Sequence, residues 1–411
     1  MTSGKSLKTR RSIPSLHRKV VLGTTALTAA MFATGVAAAT APGASASASA
    51  KSPAAKDFFS KNKSKPKPPP KSTTPTTNEV PPKGNVTLYE EGSTLLYPLF
   101  QEWAPAYHSR YSNVTVDPAG GGSGKGITDA AGGVVDIGAS DAYLSSSQVS
   151  EYPGLKNIAL AISAQMVNYN IPGLSSNTHL RLTGQVISDI YQGKITTWND
   201  PAITSLNPGV NIPADKIIAI HRQDSSGDTF IFSSFLSAAD PKGWGSSIGF
   251  GTNIAFPAIS NAASATGNGG MVSACQTTPG CIAYIGISYE SKIGGLGLAE
   301  LANADGKYEL PVASTIGAEA AALESKTPAN EALSLIYDNA STGYPIINYE
   351  YAIIPGKESS KQVAGAVQAL LYWATDPKGG SASSFLGPVN FQPLTPTVLA
   401  LTDAQIAQIQ G

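Results

Sequence analysis

Three short segments of this sequence combine glycine with hydroxyl-bearing residues in a way that suits the binding of an anion. They span residues 91–95, 120–125 and 224–229, and each follows a strand-like run and precedes a helix. A helix N-terminus presents unpaired N–H groups and about half a unit of positive charge, which together favour an anion. Each segment alone is also typical of an ordinary cap and turn. Three in one chain, with Arg222 beside the third, favour an anion site.

The second segment approaches two enzymatic patterns without fitting either. A nucleotide-binding P-loop needs Gly, four residues and then Gly-Lys-Ser/Thr, but Ala119 and Gly126 stand at two required places. The nucleophile elbow Gly-x-Ser-x-Gly fails around Ser123, because Lys125 replaces the last glycine. No His/Asp pair lies in register with Ser123, and no cluster of metal ligands is visible. We therefore predict a binding protein without catalytic residues, metal or cofactor.

The anion-binding segments need strands and helices to position them, and the surrounding sequence alternates between the two. Strand-like runs at residues 85–89, 114–117 and 135–139 alternate with helical runs at 95–107 and 126–132. This alternation predicts an α/β fold whose largely parallel sheet is covered by helices. Ligands of such sheets bind beyond the carboxyl ends of the strands, which is where the three segments fall.

Charge and cysteine content restrict the partners and the compartment. The chain of 411 residues carries 28 basic and 28 acidic residues, so no global field draws it to nucleic acid or to a lipid surface. Its two cysteines, Cys275 and Cys281, flank a segment that contains the turn dipeptide Pro279-Gly280. In an exported protein we interpret the pair as a disulfide, with two free buried thiols as the alternative. Two ligands are too few for a zinc site.

The N-terminal part of the chain predicts export. Residues 1–50 show a basic start, an apolar run at 20–39 and then small residues, the order of a secretory signal. The apolar run is near the minimum length of a membrane span, so an uncleaved signal anchor is the alternative. No cysteine precedes Cys275, which rules out a lipid-modified N-terminal cysteine. Residues 51–84, rich in Pro, Lys, Ser and Thr, predict a disordered linker. We expect a secreted or cell-surface protein that is not a lipoprotein.

From about residue 85 to residue 410 the sequence resembles the phosphate-binding protein of bacterial ABC-type phosphate importers. The resemblance is carried by Gly92-Ser93-Thr94, Gly121-Gly122-Ser123-Gly124, Asp136-Ile137-Gly138-Ala139-Ser140-Asp141-Ala142 and Arg222-Gln223-Asp224-Ser225-Ser226-Gly227. It implies a two-lobed fold of the periplasmic-binding-protein type that closes on its ligand, each lobe a mixed, mainly parallel sheet flanked by helices. It further implies that residues 85–164 and 348–411 form the first lobe, that residues 165–347 form the second, and that two hinge strands join them.

The same resemblance implies a set of phosphate-binding residues. These are the side chains or backbone amides of Thr94, Leu95, Ser123, Asp141, Arg222, Ser226 and Gly227. The family usually has threonine at the next position, but here Asp228 stands there and is followed by Thr229. Three alternatives follow: Thr229 takes over the hydroxyl role, Asp228 contacts a protonated oxygen of the ligand, or Asp228 only caps its helix.

The resemblance implies high-affinity extracytoplasmic binding of inorganic phosphate and its delivery to the membrane permease subunits of an ABC importer, by a protein that we expect to be a monomer. Asp141 would supply selectivity, because an ionised carboxylate is acceptor-only and can take a hydrogen bond from phosphate but not from fully deprotonated sulfate. The competing interpretations are a secreted phosphatase and a surface adhesin or phosphate scavenger on the same scaffold.

Overall fold

A computed structural model describes residues 77–337 and 340–411 of the chain. The predicted export signal and residues 51–76 of the predicted linker lie outside the described residues, so the structure does not bear on them. The described residues belong to the unit Lys65–Gly411, one of the two units into which the chain divides. None of their helices is both long enough and apolar enough to cross a membrane.

Strands and helices alternate along the described chain. The strands are β1 Val86–Gly92, β2 Val114–Gly120, β3 Ile137–Ser140, β4 Lys156–Asn170, β5 Arg181–Leu182, β6 Ile218–Arg222, β7 Ala262–Ala265, β8 Cys281–Gly286, β9 Gly297–Leu298, β10 Glu300–Ala302, β11 Tyr308–Glu309 and β12 Ile347–Ile354. The helices are α1 Tyr97–Arg110, α2 Ser123–Ala131, α3 Ser146–Glu151, α4 Gly184–Tyr191, α5 Pro201–Thr204, α6 Gly227–Ala239, α7 Gly267–Thr277, α8 Ala313–Leu323, α9 Lys361–Thr375, α10 Ser383–Leu386 and α11 Pro396–Ile406.

The main sheet is mixed. Its strand order is β2-β1-β3-β12-β4-β8-β6-β7, with β9 paired to β4, while β5, β10 and β11 form a small second sheet. Strands β1, β2 and β3 run parallel to one another, as do β6, β7 and β8. The central strands β12 and β4 run antiparallel to their neighbours. The predicted α/β class is confirmed, and the parallel arrangement that the alternation predicts holds on both sides of the central pair.

Strand β4 connects the two halves of this sheet. Its first part pairs with β12 up to Ala164, and its last six residues, from Gln165 to Asn170, pair with β8. All thirteen residues between its two ends are buried, because both faces of the strand are covered. Strands β4 and β12 pass through the two boundaries between the implied lobes, where hinge strands are expected; the exact division into two lobes stays a prediction.

Helix α2 begins earlier than its sequence pattern indicated. The helical run expected at residues 126–132 starts at Ser123, because the N–H groups of Lys125 and Gly126 donate to the Gly122 carbonyl at 3.0 and 3.2 Å. Gly122 itself adopts φ of +90°, a conformation that favours glycine. The consequence for the site is that Ser123 occupies the first turn of a helix, close to the carboxyl end of β2.

The two halves of the sheet have separate aromatic clusters in their cores. In one, Tyr107 packs against Trp373 with ring centroids 5.1 Å apart; in the other, Phe232 stacks on Tyr284 at 4.4 Å. The Tyr284 hydroxyl then accepts a hydrogen bond from the Arg222 backbone N–H at 2.8 Å, so core packing fixes the end of β6. The predicted disulfide is present, and it joins the last turn of α7 to the start of β8 with Cα atoms 5.5 Å apart.

Candidate functional site

The three anion-binding segments predicted from the sequence lie at the carboxyl ends of β1, β2 and β6. Gly92 and Gly120, the last residues of β1 and β2, are direct partners in the parallel ladder. Strand β3 lies on the other side of β1 and ends one residue before Asp141. Because carboxyl ends of parallel strands share one edge of a sheet, the first two segments and Asp141 are neighbours.

Gly92 joins the first segment to the second. Its carbonyl accepts hydrogen bonds from the N–H groups of Gly121 and Gly122 at 2.8 and 2.7 Å. Its φ is +149°, and a Cβ atom at this position would lie only 2.0 Å from the Ala139 carbonyl oxygen. Both facts require glycine here, since no other residue fits against β3 in this conformation.

Asp141 occupies the centre of the arrangement, with only 1% of its surface exposed. One carboxylate oxygen accepts a hydrogen bond from the Ser93 hydroxyl, and the other accepts one from the Ser123 hydroxyl at 3.3 Å. The Asp141 N–H donates back to the Ser123 hydroxyl at 3.1 Å. The predicted residues Ser123 and Asp141 are therefore together, and Ser93, which was not among the predicted site residues, joins them. The sequence feature that could have indicated Ser93 is its position in the Gly92-Ser93-Thr94 run.

Gly227 brings the third segment to the same place. A Cβ atom on Gly227 would lie 2.3 Å from Asp141 Oδ2 and 2.4 Å from Ser123 Oγ. Nearby, the Gly124 N–H donates to the Ser225 carbonyl at 3.1 Å, which is a second contact between the segments at the starts of α2 and α6. All three segments thus meet around Asp141, as the sequence predicted.

Arg222 is buried, and its charge is compensated by two aspartates. Its guanidinium donates to both carboxylate oxygens of Asp224 and to one of Asp228, while only 1% of its side chain is exposed. The ion pair with Asp224 is internal rather than on the surface. The guanidinium bonds Asp224 and Asp228 and does not bond Asp141.

The structure separates the three alternatives for the residues after Gly227. Ser226 is the N-cap of α6, since its hydroxyl accepts the Thr229 N–H at 3.4 Å. Asp228 is therefore not the cap; its carboxylate receives Arg222, Asn268 and Gln165 instead. The Thr229 hydroxyl is bonded to the Tyr284 hydroxyl at 2.8 Å, so it faces the core beneath the site. Asp228, and not Thr229, therefore pairs with Arg222.

Thr94 and Leu95 lie beside this cluster with defined partners. The Leu95 N–H donates to the Ser93 hydroxyl at 3.0 Å. The Thr94 hydroxyl accepts both the backbone N–H and the side-chain Nδ2 of Asn268, each at 3.1 Å. Asn268 also donates to Asp228 at 2.8 Å, so it links the first segment to the arginine cluster. The sequence analysis missed Asn268, although residues 266–270 repeat the pattern of a glycine-rich helix start after a strand.

Burial and mutual repulsion raise the pKa values of the acidic groups at the centre of the site. Burial, followed by the negative charge of Asp228, raises the pKa of Asp141 to about 7. Burial also raises the pKa of Asp228, against the opposing effect of Arg222. A further acid, Glu350 on β12, is fully buried beside Asp141, and burial raises its pKa well above the usual range. By contrast, Arg222 holds the pKa of Asp224 below its usual range, although partial burial opposes this.

Comparisons with known proteins show the family to which the chain belongs. Residues 33–378 match the family described as the PBP superfamily domain. The phosphate-binding protein PstS of Methanocaldococcus jannaschii is 32% identical over 322 residues, which cover 73% of this chain and 80% of the relative. The phosphate-binding protein PstS of Xylella fastidiosa is 29% identical over 333 residues, covering 81% of this chain and 88% of the relative.

Among solved structures, the fold is similar to that of the ancestral soluble variant of the human phosphate-binding protein. The TM-score is 0.62 at 18% sequence identity, and the match covers 78% of this chain and 93% of that structure. At this identity the similarity concerns the fold alone. It agrees with the two-lobed α/β architecture expected from the sequence.

Proposed function

Because the chain belongs to the family of phosphate-binding proteins within the PBP superfamily, we propose that it binds inorganic phosphate outside the cytoplasmic membrane and delivers it to the permease subunits of an ABC-type importer. The single observation that carries this proposal is the convergence of three strand-to-helix segments on the buried carboxylate of Asp141. The curated relatives at 32% and 29% identity are named as phosphate-binding proteins.

The proposed phosphate donors are hydroxyls and backbone amides at helix starts. Ser123 lies in the first turn of α2, while Ser226 and Gly227 begin α6. Thr94 and the Leu95 amide would add donors from the segment after β1. Such groups disperse the charge of an anion through hydrogen bonds and the partial positive charge of helix N-termini. We include Asp228 as a candidate contact to a protonated phosphate oxygen, and we assign Thr229 a supporting role beneath the site.

The compensated charge of Arg222 has a consequence for affinity. Asp224 and Asp228 both pair with its guanidinium, so the arginine brings little net positive charge to the site. Attraction of phosphate would then depend on oriented dipoles and on charge-assisted hydrogen bonds rather than on a net ion pair. A buried guanidinium with fixed partners also keeps one geometry, which favours a ligand of defined shape.

Asp141 is the proposed selectivity element. Phosphate near neutral pH keeps at least one proton, whereas sulfate keeps none. An ionised carboxylate accepts a hydrogen bond from the phosphate O–H. With sulfate, the carboxylate oxygen and the sulfate oxygen are both negatively charged acceptors, and no proton lies between them. In a buried site that mismatch costs more than in water, and discrimination therefore rests on repulsion of the wrong anion.

Closure of two lobes would couple binding to delivery. Contacts that join the proposed lobes are already formed here: Thr94 with Asn268, and Gly124 with Ser225. A ligand that touches both sides favours the closed population, and the permease would recognise that form. We propose residues 85–164 with 348–411 as one lobe and 165–347 as the other, and we propose that the protein acts as a monomer.

Calorimetric titration with phosphate and with sulfate tests the binding proposal. We expect strong heats with phosphate and none measurable with sulfate. The Asp141→Asn variant should narrow this preference by roughly 10- to 100-fold, because an amide donates as well as accepts. Asp136→Asn is the matched control, since that carboxylate belongs to the same run but accepts the Tyr89 N–H at 2.8 Å. Equal heats from both anions in the unaltered protein would contradict the selectivity argument.

We further propose that the protein is not a phosphatase, because Ser123 hydrogen-bonds Asp141 and the Asp141 N–H rather than a histidine. Hydrolysis of a chromogenic phosphoester by the purified protein would contradict this. Co-purification with membrane permease subunits distinguishes an importer component from a surface scavenger or adhesin that binds phosphate without a transporter.

A further inference from the structure

Glu350 is a buried acid that the binding scheme above does not use. It lies on β12, and none of its surface is exposed. Its Oε1 accepts a hydrogen bond from the Ser163 hydroxyl at 2.5 Å. Among the described residues, none donates a hydrogen bond to its other oxygen, Oε2. A buried carboxylate oxygen without a donor is costly, so this atom requires an explanation.

The neighbouring acid Asp141 supplies an explanation for the lone oxygen of Glu350. In the antiparallel ladder of β12 and β3, Tyr351 pairs with Ser140, so Glu350 and Asp141 occupy the next facing positions of the two segments. On the same strand, Asn348 donates through Nδ2 to the Asp141 backbone carbonyl, which holds β12 against Asp141. The negative charge of Asp141 adds to burial in raising the pKa of Glu350. Ionisation of two neighbouring carboxyls in a buried site is strongly disfavoured, because they repel each other and both lose solvation. We therefore expect one of the pair to hold a proton.

The charges that face this pair indicate where the proton resides. Asp228 on α6 adds a third buried acid, and Arg222 at the end of β6 is the cation that acts on Asp141 and Asp228 among the residues that the structure describes. Ser93 and Ser123 both donate to Asp141, whereas Glu350 receives only Ser163. The ion with more donors is the better stabilised one. Asp141 is therefore the ionised partner and Glu350 the neutral acid.

We propose that Glu350 is a positioning residue that remains protonated and donates its Oε2–H to the Asp141 carboxylate, which keeps Asp141 in the acceptor-only form. This inference rests on the proposed function, since the form of Asp141 matters only if Asp141 reads the proton of an anion. The donated hydrogen bond opposes the effect of burial and of Asp228 on the pKa of Asp141. Without it, Asp141 takes up a proton at higher pH and becomes a donor that tolerates sulfate.

Two substitutions separate this role from plain packing. In Glu350→Gln, the amide N–H still donates to Asp141 while the amide oxygen still accepts from Ser163. In Glu350→Met, the shape is similar but both polar functions are lost. Glu331→Gln is the matched control, because Glu331 is another fully buried acid, held by Thr402 and the Ala159 N–H.

The measurement is the phosphate-over-sulfate affinity ratio between about pH 6 and about pH 8.5. We expect Glu350→Gln and Glu331→Gln to follow the unaltered protein. In Glu350→Met the ratio should fall about tenfold or more at the acid end and recover at the alkaline end, since one unit of pKa change is a factor of ten in protonation. A uniform loss at every pH, or equal impairment in Glu350→Gln and Glu350→Met, would overturn the proposal.

Infrared spectroscopy gives an independent readout that needs neither phosphate binding nor a folded Glu350→Met variant. The unaltered protein at about pH 8 should show the carbonyl stretch of a protonated carboxylic acid. The difference spectrum against Glu350→Gln should assign that band to Glu350. Absence of the band from the difference spectrum would refute the protonated glutamic acid, even if phosphate binds. Presence of the band in a protein that binds no phosphate would instead refute the proposed function and leave the neutral acid standing.

Discussion

Substitution of Gly227 by alanine should weaken phosphate binding without weakening the fold. Gly227 begins α6, and its φ is not in the left-handed region, so alanine suits its backbone. The new Cβ would stand 2.3 Å from Asp141 Oδ2 and 2.4 Å from Ser123 Oγ, whereas Cβ contacts below 3.0 Å essentially do not occur. The helix start must therefore move away from Asp141 by about 0.7 Å or more, which the closed arrangement does not allow.

The expected penalty follows from the cost of overpacking a close-packed site. Insertion of a methyl group of this kind costs about 1–3 kcal/mol, and each 1.4 kcal/mol is a factor of ten in affinity. Because the atoms that clash belong to facing segments, an open form relieves them, and the penalty falls on closure. We expect the phosphate dissociation constant to rise by roughly 10- to 100-fold while the melting temperature of the unliganded protein changes little.

Calorimetry and thermal unfolding of the unliganded protein measure the two quantities separately. Gly317→Ala is the matched control, since a Cβ at Gly317 in α8 meets no atom within 4 Å. That variant should bind phosphate normally and gain a few tenths of a kcal/mol of stability. The reasoning fails if Gly227→Ala binds phosphate as tightly as the unaltered protein, or if it loses stability as much as it loses affinity.

Further outcomes follow from other features of the structure. Replacing Cys275 and Cys281 by serine should lower the free energy of unfolding by about 2 kcal/mol, as expected for a short closed loop, without changing phosphate affinity; a larger loss of affinity than of stability would contradict a purely structural disulfide. Burial raises the pKa of Glu331 to about 7, so the folded state holds a proton that the unfolded state releases near pH 4.5, and stability should fall as pH rises from about 4.5 to about 7. Glu331→Gln should flatten that part of a urea-unfolding profile, and an unchanged slope would contradict the assignment. Because Asp224 neutralises Arg222, phosphate affinity should change less than about threefold between low and high salt; a steep salt dependence would indicate a net positive site.

The sequence was sufficient to predict the parts of the site that obey a local rule. Parallel strands bring their carboxyl ends to one edge, so Ser123 and Asp141 could be placed together from strand-to-helix patterns. Gly227 follows a strand of the other half of the sheet, and the family resemblance placed it with them. What these predictions share is that each depends on a short segment whose conformation its own residues largely determine.

The remaining contacts could not be predicted, because they depend on tertiary packing between distant segments. Asn268 meets Thr94 across 174 residues of chain, and no spacing rule connects them. Glu350 resembles any charged residue within a strand until β12 is seen to be buried on both faces beside Asp141. The antiparallel direction of the central strands was likewise invisible to a pattern that records alternation of strands and helices but not the direction of each strand.

The shared strand β4 has a consequence for how this protein unfolds. Residues up to Ala164 hold β12, and the residues from Gln165 onward hold β8, so one continuous segment completes the hydrogen bonding of both halves of the sheet. Removing that segment leaves two open sheet edges and two exposed cores at once. We therefore expect the halves to melt as a single cooperative unit, although the proposed hinge would let them move as two bodies in the native state.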